Sequence, residues 1–172
     1  HLRPPAQALL ARIGLGNEKA YVGRDGWLFY RPSVDYLTGP GFLEPAFLEK
    51  RSQRPNEWTP APQPDPRPAV LQFRRRLAER GIELILVPAP GKPMIYPDKL
   101  SRRYVGYDAV LRNPSYGRFV AEMRDAGVLV FEPAELLMQA RRDSGRPQYV
   151  ATDTHWRPGP MQRVAARLAE FI

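Results

Sequence analysis

The chain has 172 residues, of which 43% are hydrophobic and 26% charged, and this length and composition are typical of one globular domain. No stretch approaches the ~18 uninterrupted apolar residues of a membrane span. The absence of cysteine excludes disulfides, thiol catalysis and thiolate metal sites. The net charge of +8, carried mainly by arginine, fits either a polyanionic partner or an Arg-rich coding bias. Since the chain begins at His1 rather than Met, we expect any signal peptide or membrane anchor to precede it.

The first part of the sequence predicts a helix and a hairpin. Residues 5–13 place apolar side chains on one helical face. Residues 20–31 carry apolar runs on both sides of Asp25-Gly26, a pair that tolerates positive φ, and this pattern is typical of a β-hairpin. The hydrophobic residues after the turn, 27–29, are expected in the core.

A proline-rich stretch at residues 50–68 predicts an extended loop or linker inside the domain, since its six prolines remove backbone donors and fix φ. Residues 69–81 then predict a helix, with Val70, Phe73 and Leu77 on its apolar stripe. The loop is thus followed directly by regular structure.

Strand and helix patterns then alternate. The mostly apolar run 82–90 is typical of a strand buried on both faces of a parallel sheet. A helix, a strand and a helix follow, at 116–127, 128–131 and 133–145. This alternation predicts βαβ units, so the expected fold class is α/β, with an open, mainly parallel sheet flanked by helices and an N-terminal β-hairpin.

The stretch YVATDTHWRPG, residues 149–159, contains one of the chain's two histidines. It lies between a short strand predicted at 148–151 and a C-terminal helix, where α/β proteins bind ligands. In extended backbone, Asp153 and His155 project to the same side. The carboxylate can hold one imidazole nitrogen and leave the other free to take a proton from a hydroxyl nucleophile. These two roles are those of the acid and the base of a serine triad.

Two other interpretations of this pair are open. Asp153 can cap a helix or turn, with His155 an ordinary loop residue. A metal site is disfavoured, because His1 is the only other histidine and cysteine is absent. No metal or other cofactor is therefore expected.

Three blocks carry a resemblance to a known family: YVGRDGWLFY at 21–30, LAERGIELILVPAPGKPMIYPDKL at 77–100 and YVATDTHWRPGPMQRVAARLAEFI at 149–172. In this order and spacing they resemble the SGNH hydrolase-like domain of the alginate O-acetyltransferase family, the AlgX/AlgJ-like proteins. The likeness runs from about residue 20 onward. Residues 1–172 are accordingly interpreted as a single SGNH hydrolase-like domain, truncated at its C-terminus.

The resemblance implies a flavodoxin-like α/β fold and the transfer of acetyl groups to hydroxyls of exported polysaccharides in the bacterial periplasm. It gives Asp153 the role of orienter and His155 that of general base. It also implies an acidic or neutral exopolysaccharide as acceptor, an acetyl donor protein or carrier, and a membrane-associated acetylation complex. A membrane anchor would then precede His1.

The family's nucleophile is a serine in a Gly-Asp-Ser block, and this sequence has no such block. None of its five serines lies in a predicted strand-to-helix turn of the kind that exposes a nucleophile. Residues 1–172 alone are therefore expected to be inactive, as the N-terminal part of a longer acetyltransferase.

Further residues are expected near the pair. Trp156 can line an acyl or sugar pocket, or it can pack the helix against the sheet. Lys92 and Tyr96, in the block GKPMIYP, follow the first predicted strand and can bind a sugar hydroxyl or carboxylate. The alternative for this block is a loop stabilised by Pro93 and Pro97.

Two other functions compete with the acetyltransferase. An esterase of the same fold differs only in using water as the acyl acceptor. A non-catalytic polysaccharide-binding module would use the Arg-rich surface, and its binding would weaken in salt. Nucleic acid is not an expected partner, since the sequence has no recognisable nucleic-acid-binding motif.

Overall fold

The computed structural model describes residues 19–53 and 63–172. The strands are β1 Ala20–Val22, β2 Leu28–Tyr30, β3 Ile85–Leu86 and β4 Leu129–Val130. The α-helices are α1 Arg31–Thr38, α2 Pro45–Ser52, α3 Pro66–Ala78, α4 Lys92–Ile95, α5 Pro97–Leu100, α6 Tyr116–Asp125, α7 Pro133–Ser144 and α8 Pro158–Phe171. The helix predicted at 5–13 lies outside the described residues. Within the described ranges, no helix is long and apolar enough to cross a membrane.

These elements form two compact units. The hairpin unit contains the described residues up to Leu37 together with Ala89–Leu111 and Pro133–Ile172. The sheet unit contains the described residues of Thr38–Pro88 together with Arg112–Glu132. The candidate site residues all belong to the hairpin unit: Lys92, Tyr96, Asp153, His155 and Trp156.

The strands β1 and β2 form the predicted hairpin. They pair antiparallel, with Val22 opposite Leu28. The connecting turn holds Asp25 at φ 54° and Gly26 at φ 77°, left-handed conformations for which this pair of residues is suited. Residues 27–29 are buried or half-buried, as expected. The N-terminal hairpin is therefore confirmed.

The sheet unit is built on a parallel pair of strands. β3 pairs with β4, and Ile85 lies opposite Leu129. Helix α6 contributes buried side chains to the core formed with these strands, namely Tyr116, Phe119, Val120 and Met123. Val70 and Leu71 of α3 pack against the same core. Parallel strands packed against helices confirm the α/β class.

Both strands of the sheet unit are shorter than the sequence predicts. The run 82–90 contributes only β3, and the run 128–131 contributes only β4. Pro88 and Pro90 lack a backbone N–H, so ladder pairing cannot continue along the first run. Both residues of β3 are half-buried among the described residues, which corrects the prediction of a strand buried on both faces.

Helix α3 packs against the core through only part of the predicted apolar stripe. Its N-cap is Asp65, whose carboxylate accepts a hydrogen bond from the backbone N–H of Arg67 at 2.9 Å. Val70 and Leu71 pack against the core, whereas Phe73, predicted on the apolar stripe, is 55% exposed. Phe73 is two residues from Leu71, about 200° around the helix, so the two side chains cannot face one core.

The proline-rich loop predicted at 50–68 is too long at both ends. Helix α2 extends to Ser52, and helix α3 begins at Pro66. Proline is tolerated in the first turn of a helix, because the N–H groups there have no intrahelical acceptor. Residues 54–62 of this stretch lie outside the described residues.

The block GKPMIYP forms helical turns rather than an irregular loop. Pro93 and Pro97 lie in the first turns of α4 and α5, respectively. The turns bury Lys92 and Tyr96 in the hairpin unit, together with Ile95. The block is therefore part of the core beneath the candidate site.

Candidate active site

The acid and the histidine lie in a tight loop, here called the acid–histidine loop, residues 148–157. Tyr149 and Trp156 form an antiparallel β-bridge. The backbone N–H of Arg157 donates to the carbonyl oxygen of Gln148 at 2.9 Å, which closes the base of the loop. The strand predicted at 148–151 is thus replaced by a chain reversal. Among the described residues, its only bridge partner is Trp156, not another strand of a parallel sheet.

Asp153 and His155 are hydrogen-bonded to each other near the tip of this loop. His155 Nδ1 lies 2.7 Å from Asp153 Oδ1. Since an ionised carboxylate only accepts hydrogen bonds, Nδ1 carries the proton in neutral His155, and the lone pair is on Nε2. The side chains of His155 and Asp153 are 80% and 53% exposed. The imidazole is therefore both oriented and accessible.

The hydrogen bond from His155 holds the pKa of Asp153 below its ordinary value, with a smaller contribution from the backbone N–H of Thr154. Asp153 is not the N-cap of helix α8. That position belongs to Arg157, and no side chain caps the helix there. Of the capping contacts considered for Asp153, the structure shows the one within the loop, where its carboxylate accepts a hydrogen bond from the backbone N–H of Thr154.

The buried ammonium of Lys92 holds the acid–histidine loop from below. Its Nζ donates to the carbonyl oxygens of Val150, Ala151 and Asp153 at 3.0, 2.8 and 2.7 Å. Lys92 is only 3% exposed, and burial lowers its pKa to about 8, which the charge of Asp153 partly opposes. All three ammonium donors are thus used to hold backbone close to Asp153 and His155.

Aromatic side chains from the N-terminal hairpin surround this ammonium. The ring centroids of Trp27 and Phe29 lie 5.5 and 5.3 Å from Lys92 Nζ, within the range of cation–π attraction. The backbone N–H of Leu28 donates to the carbonyl oxygen of Ala151 at 2.9 Å. The N-terminal hairpin, which contains the block YVGRDGWLFY, therefore contacts and supports the acid–histidine loop directly.

Two buried tyrosines also form hydrogen bonds that support the acid–histidine loop. Tyr96 Oη accepts a hydrogen bond from the backbone N–H of Gln148 at 2.8 Å, and Tyr149 Oη donates to the carbonyl oxygen of Pro90. Burial raises the pKa of both phenols. Trp156 is half-buried and meets the Tyr149 ring edge-on, with centroids 6.4 Å apart.

These contacts show that Lys92, Tyr96 and Trp156 support the structure of the acid–histidine loop. Lys92 and Tyr96 are buried, and their polar atoms are bonded to backbone. Trp156 packs within its own loop. Substrate contact by these three residues stays a prediction.

A nucleophile for His155 is not found among the described residues. All five serines are described, and none is hydrogen-bonded to the imidazole. Ser144 Oγ, for example, donates to the carbonyl oxygen of Ala140 at the end of α7. The described residues hold an acid and a base without the hydroxyl that such a pair activates.

Residues that the sequence did not single out line a cavity beside this loop. Gln148 lies at its base, with the arginines Arg146, Arg157 and Arg163 around it. Only Arg157 carried a usable signal, since it directly follows Asp153-Thr154-His155-Trp156. Arg146, Gln148 and Arg163 come together because α7 packs against α8, and the local sequence pattern gives no sign of that packing.

The sequence matches the family described as "SGNH hydrolase-like domain, acetyltransferase AlgX" over residues 20–172. It is 30% identical to the probable alginate O-acetylase AlgJ of Pseudomonas aeruginosa over 157 residues, which cover 91% of this chain and 34% of that protein. It is 26% identical to the alginate biosynthesis protein AlgX of the same organism over 150 residues, covering 87% and 27% of the two chains.

A solved structure gives the same result for the fold. The O-acetyltransferase domain of Pseudomonas putida AlgJ superposes with a TM-score of 0.58 at 23% identity, over 88% of this chain and 47% of that one. The fold and the acid–histidine pair thus define an SGNH hydrolase-like domain. The chain belongs to the AlgX acetyltransferase family. It spans about a third of the length of its AlgJ relative.

Proposed function

We propose that this chain carries the acid and the base of a polysaccharide O-acetyltransferase. The observation that carries the proposal is the 2.7 Å hydrogen bond that Nδ1 of an exposed His155 donates to the carboxylate of Asp153. Family membership supports acetyl transfer as the reaction, and the similarity to an alginate O-acetylase and an alginate biosynthesis protein supports alginate as the class of acceptor. The serine nucleophile comes from outside residues 1–172.

The chemistry proceeds in two balanced steps. In the first, His155 Nε2 takes the proton of the serine hydroxyl while the serine oxygen attacks the acetyl carbonyl carbon of the donor. The donor leaves with the proton from His155, and an acetyl-serine ester remains. In the second, His155 takes the proton of a sugar hydroxyl, whose oxygen attacks the ester. The proton then returns to the serine oxygen.

Asp153 acts through His155 in both steps. Its carboxylate keeps the Nδ1–H tautomer and stabilises the imidazolium that forms each time Nε2 accepts a proton. The anchoring of the loop by Lys92 limits its motion, so the pair keeps its geometry between turnovers. No metal ion is needed in this scheme.

The reaction is proposed to occur in the periplasm, within a membrane-associated acetylation complex. The acceptor is an exported acidic or neutral polysaccharide, and a donor protein or carrier supplies the acetyl group. Fractionation of cells that express the full-length protein tests the compartment. Recovery in the cytosolic fraction contradicts it.

Acetyl-ester turnover by the full-length protein, with and without added alginate, tests the reaction. We expect acetyl to appear on the polymer, and His155→Ala to reduce the rate by about a thousandfold or more. Release of free acetate that the polymer does not affect identifies an esterase instead. Undiminished turnover in His155→Ala contradicts both enzymes and favours a non-catalytic binding module.

A further inference from the structure

The three carbonyl oxygens that the Lys92 ammonium binds do not depend on it equally. The carbonyl oxygen of Ala151 also accepts from the backbone N–H of Leu28 at 2.9 Å, and that of Val150 accepts from the N–H of Asp153 at 3.4 Å. For the carbonyl oxygen of Asp153, Lys92 Nζ at 2.7 Å is the only donor within the described ranges 19–53 and 63–172. The peptide of the acidic residue is therefore the part of the loop that relies most on Lys92.

The number of bonds that Lys92 can form depends on its charge. The ammonium has three N–H donors, one for each carbonyl oxygen of the loop. A neutral amine has two donors and a lone pair, and the lone pair repels whichever oxygen it faces. Three carbonyl oxygens that converge on one nitrogen also repel each other unless a positive charge lies between them. The present geometry of the loop therefore requires the protonated form.

The surroundings of Lys92 make this charge unusually easy to lose. The side chain is buried against the rings of Trp27 and Phe29, and no carboxylate is bonded to its Nζ among the described residues. Burial lowers the pKa of Lys92 to about 8, and the charge of Asp153 opposes this only in part. Lys99, by contrast, pairs directly with Asp25 at the surface, at 2.6 Å.

Other ionisable groups on the elements packed around Lys92 do not titrate in its place. Burial raises the pKa of the Tyr96 and Tyr149 phenols, so both stay neutral where Lys92 loses its proton. Within the described part of the chain, Lys92 is the only buried side chain that carries a charge. Charged groups of the surrounding elements pair with one another: Asp153 with His155 on the loop, Asp98 on α5 with Arg141 on α7, and Asp25 of the hairpin with Lys99 on α5.

We propose that Lys92 is a positioning residue whose protonated form is required for acetyl transfer, because the ammonium keeps Asp153 and His155 in their reactive geometry. Loss of the proton frees one loop carbonyl and shifts the Asp153 peptide. The Asp153 carboxylate accepts from His155 Nδ1 at 2.7 Å, so the shift also misplaces the Nε2 atom that takes the proton. This inference deepens the proposed function and rests on it for the reaction that Lys92 controls.

The expected pH dependence of activity has the opposite sign to that of stability. The rate should fall as the pH rises through about 8, since the neutral amine cannot hold the loop. Over the same range the free energy of unfolding should rise, because the unfolded chain binds more protons than the folded one. A loss of activity in this range is therefore a local effect on the loop and does not come from unfolding.

The pH profile of turnover by the full-length protein tests this role. In the wild type we expect kcat to fall above about pH 8, by up to about tenfold per pH unit, with KM changed by less than about twofold. Lys92→Met has no proton to lose, so its kcat should be at least about tenfold lower near neutral pH and should lack this alkaline fall. An alkaline fall that is the same in Lys92→Met and the wild type overturns the proposal.

Two further variants sharpen the test. Lys99→Met is the matched control, since Lys99 lies on the same surface-exposed turn of α5 as its partner's contact and should keep the wild-type profile. Lys92→Arg keeps a positive charge throughout the range, so its kcat should not fall above about pH 8. Circular dichroism checks that each protein is folded. Unfolding of the wild type over the same range, or an alkaline fall that persists in Lys92→Arg, overturns the proposal.

A measurement without substrate separates this inference from the proposed function. The carbon-13 NMR signal of the Asp153 carboxyl group should show an inflection near pH 8 in the wild type and none in Lys92→Met. Retained turnover in His155→Ala refutes the acetyltransferase chemistry. An Asp153 signal that does not respond near pH 8, in a protein whose turnover requires His155, refutes the role of Lys92 alone.

Discussion

Lys92 Nζ donates to the backbone carbonyl oxygen of Asp153 at 2.7 Å, although the two residues are 61 positions apart in the chain. The contact joins the block GKPMIYP to the acid–histidine loop and buries a positive charge beneath Asp153 and His155. A buried ammonium is expensive unless its donors are all used. Three backbone carbonyls meet that requirement here.

Lys92→Met should destabilise the protein and loosen the loop. The change removes the donor for three carbonyl groups while leaving them beneath the loop, and we expect a loss of about 1–3 kcal/mol in the free energy of unfolding. Urea denaturation measures this. Lys99→Met is the control, since Lys99 forms a surface pair with Asp25 and should cost less than about 1 kcal/mol. Equal losses in the two variants would contradict an anchoring role.

The Lys92 ammonium should make stability depend on pH in the alkaline range. Its pKa is lowered from the ordinary 10.5 to about 8, so between these values the unfolded chain binds more protons than the folded one. The free energy of unfolding should therefore gain a contribution that rises from pH 8 to about 10.5. Comparison of the wild type with Lys92→Met at each pH isolates this contribution. A difference that is flat over the window refutes the shift.

The acid–histidine hydrogen bond can be tested without any substrate. Because His155 holds the pKa of Asp153 below its ordinary value, the carboxyl group should titrate at higher pH in His155→Ala. Carbon-13 NMR of the aspartate carboxyl groups measures the change. An Asp153 titration that is identical in the two proteins would mean that the pair is not formed in solution.

Asp153→Asn should greatly reduce turnover without unfolding the protein. The amide cannot stabilise the imidazolium and favours the wrong tautomer, and in the serine-protease template such a change costs about 10⁴ in rate. Asp125→Asn is the control, since Asp125 is an exposed residue at the end of α6. Rates that agree within a few-fold for the two variants rule out the orienting role.

The side of the sheet-unit helices that faces the core is testable with two phenylalanines. Phe119→Ala should cost about 3–5 kcal/mol, because Phe119 is buried in the core on α6. Phe73→Ala should stay below about 1 kcal/mol, because Phe73 is exposed on α3. The midpoints of denaturant unfolding measure both losses, provided that the m-value is the same in each variant. The reverse order of losses would contradict the burial of Phe119 and the exposure of Phe73.

Local pattern predicted several features correctly because their causes lie within a few residues. The hairpin follows from the tolerance of Asp25 and Gly26 for positive φ. The α/β class follows from alternating apolar periodicity, and helix α6 buries the residues that this periodicity selects. The spacing of Asp153 and His155 is sufficient for their hydrogen bond, since both lie on one short loop.

The errors concern features that depend on distant neighbours. Phe73 fits the apolar period of α3, but Leu71 packs on the core instead, and the choice depends on the strands and on α6. The segment 148–151 has strand-like composition, yet the partner that it finds is Trp156, seven residues from Tyr149. Propensity favours extended backbone without specifying which chain pairs with it.

The family and the fold class could therefore be predicted from residue types and their spacing. The turn residues, the apolar periodicity and the spacing of Asp153 and His155 are all short-range properties of the sequence. Two features could be recognised only in the folded structure: the contacts of Lys92 with three backbone carbonyls, and the grouping of Arg146, Arg157 and Arg163 around one cavity. Each depends on groups brought together from distant parts of the chain, where burial and the supply of hydrogen-bond partners set the energy.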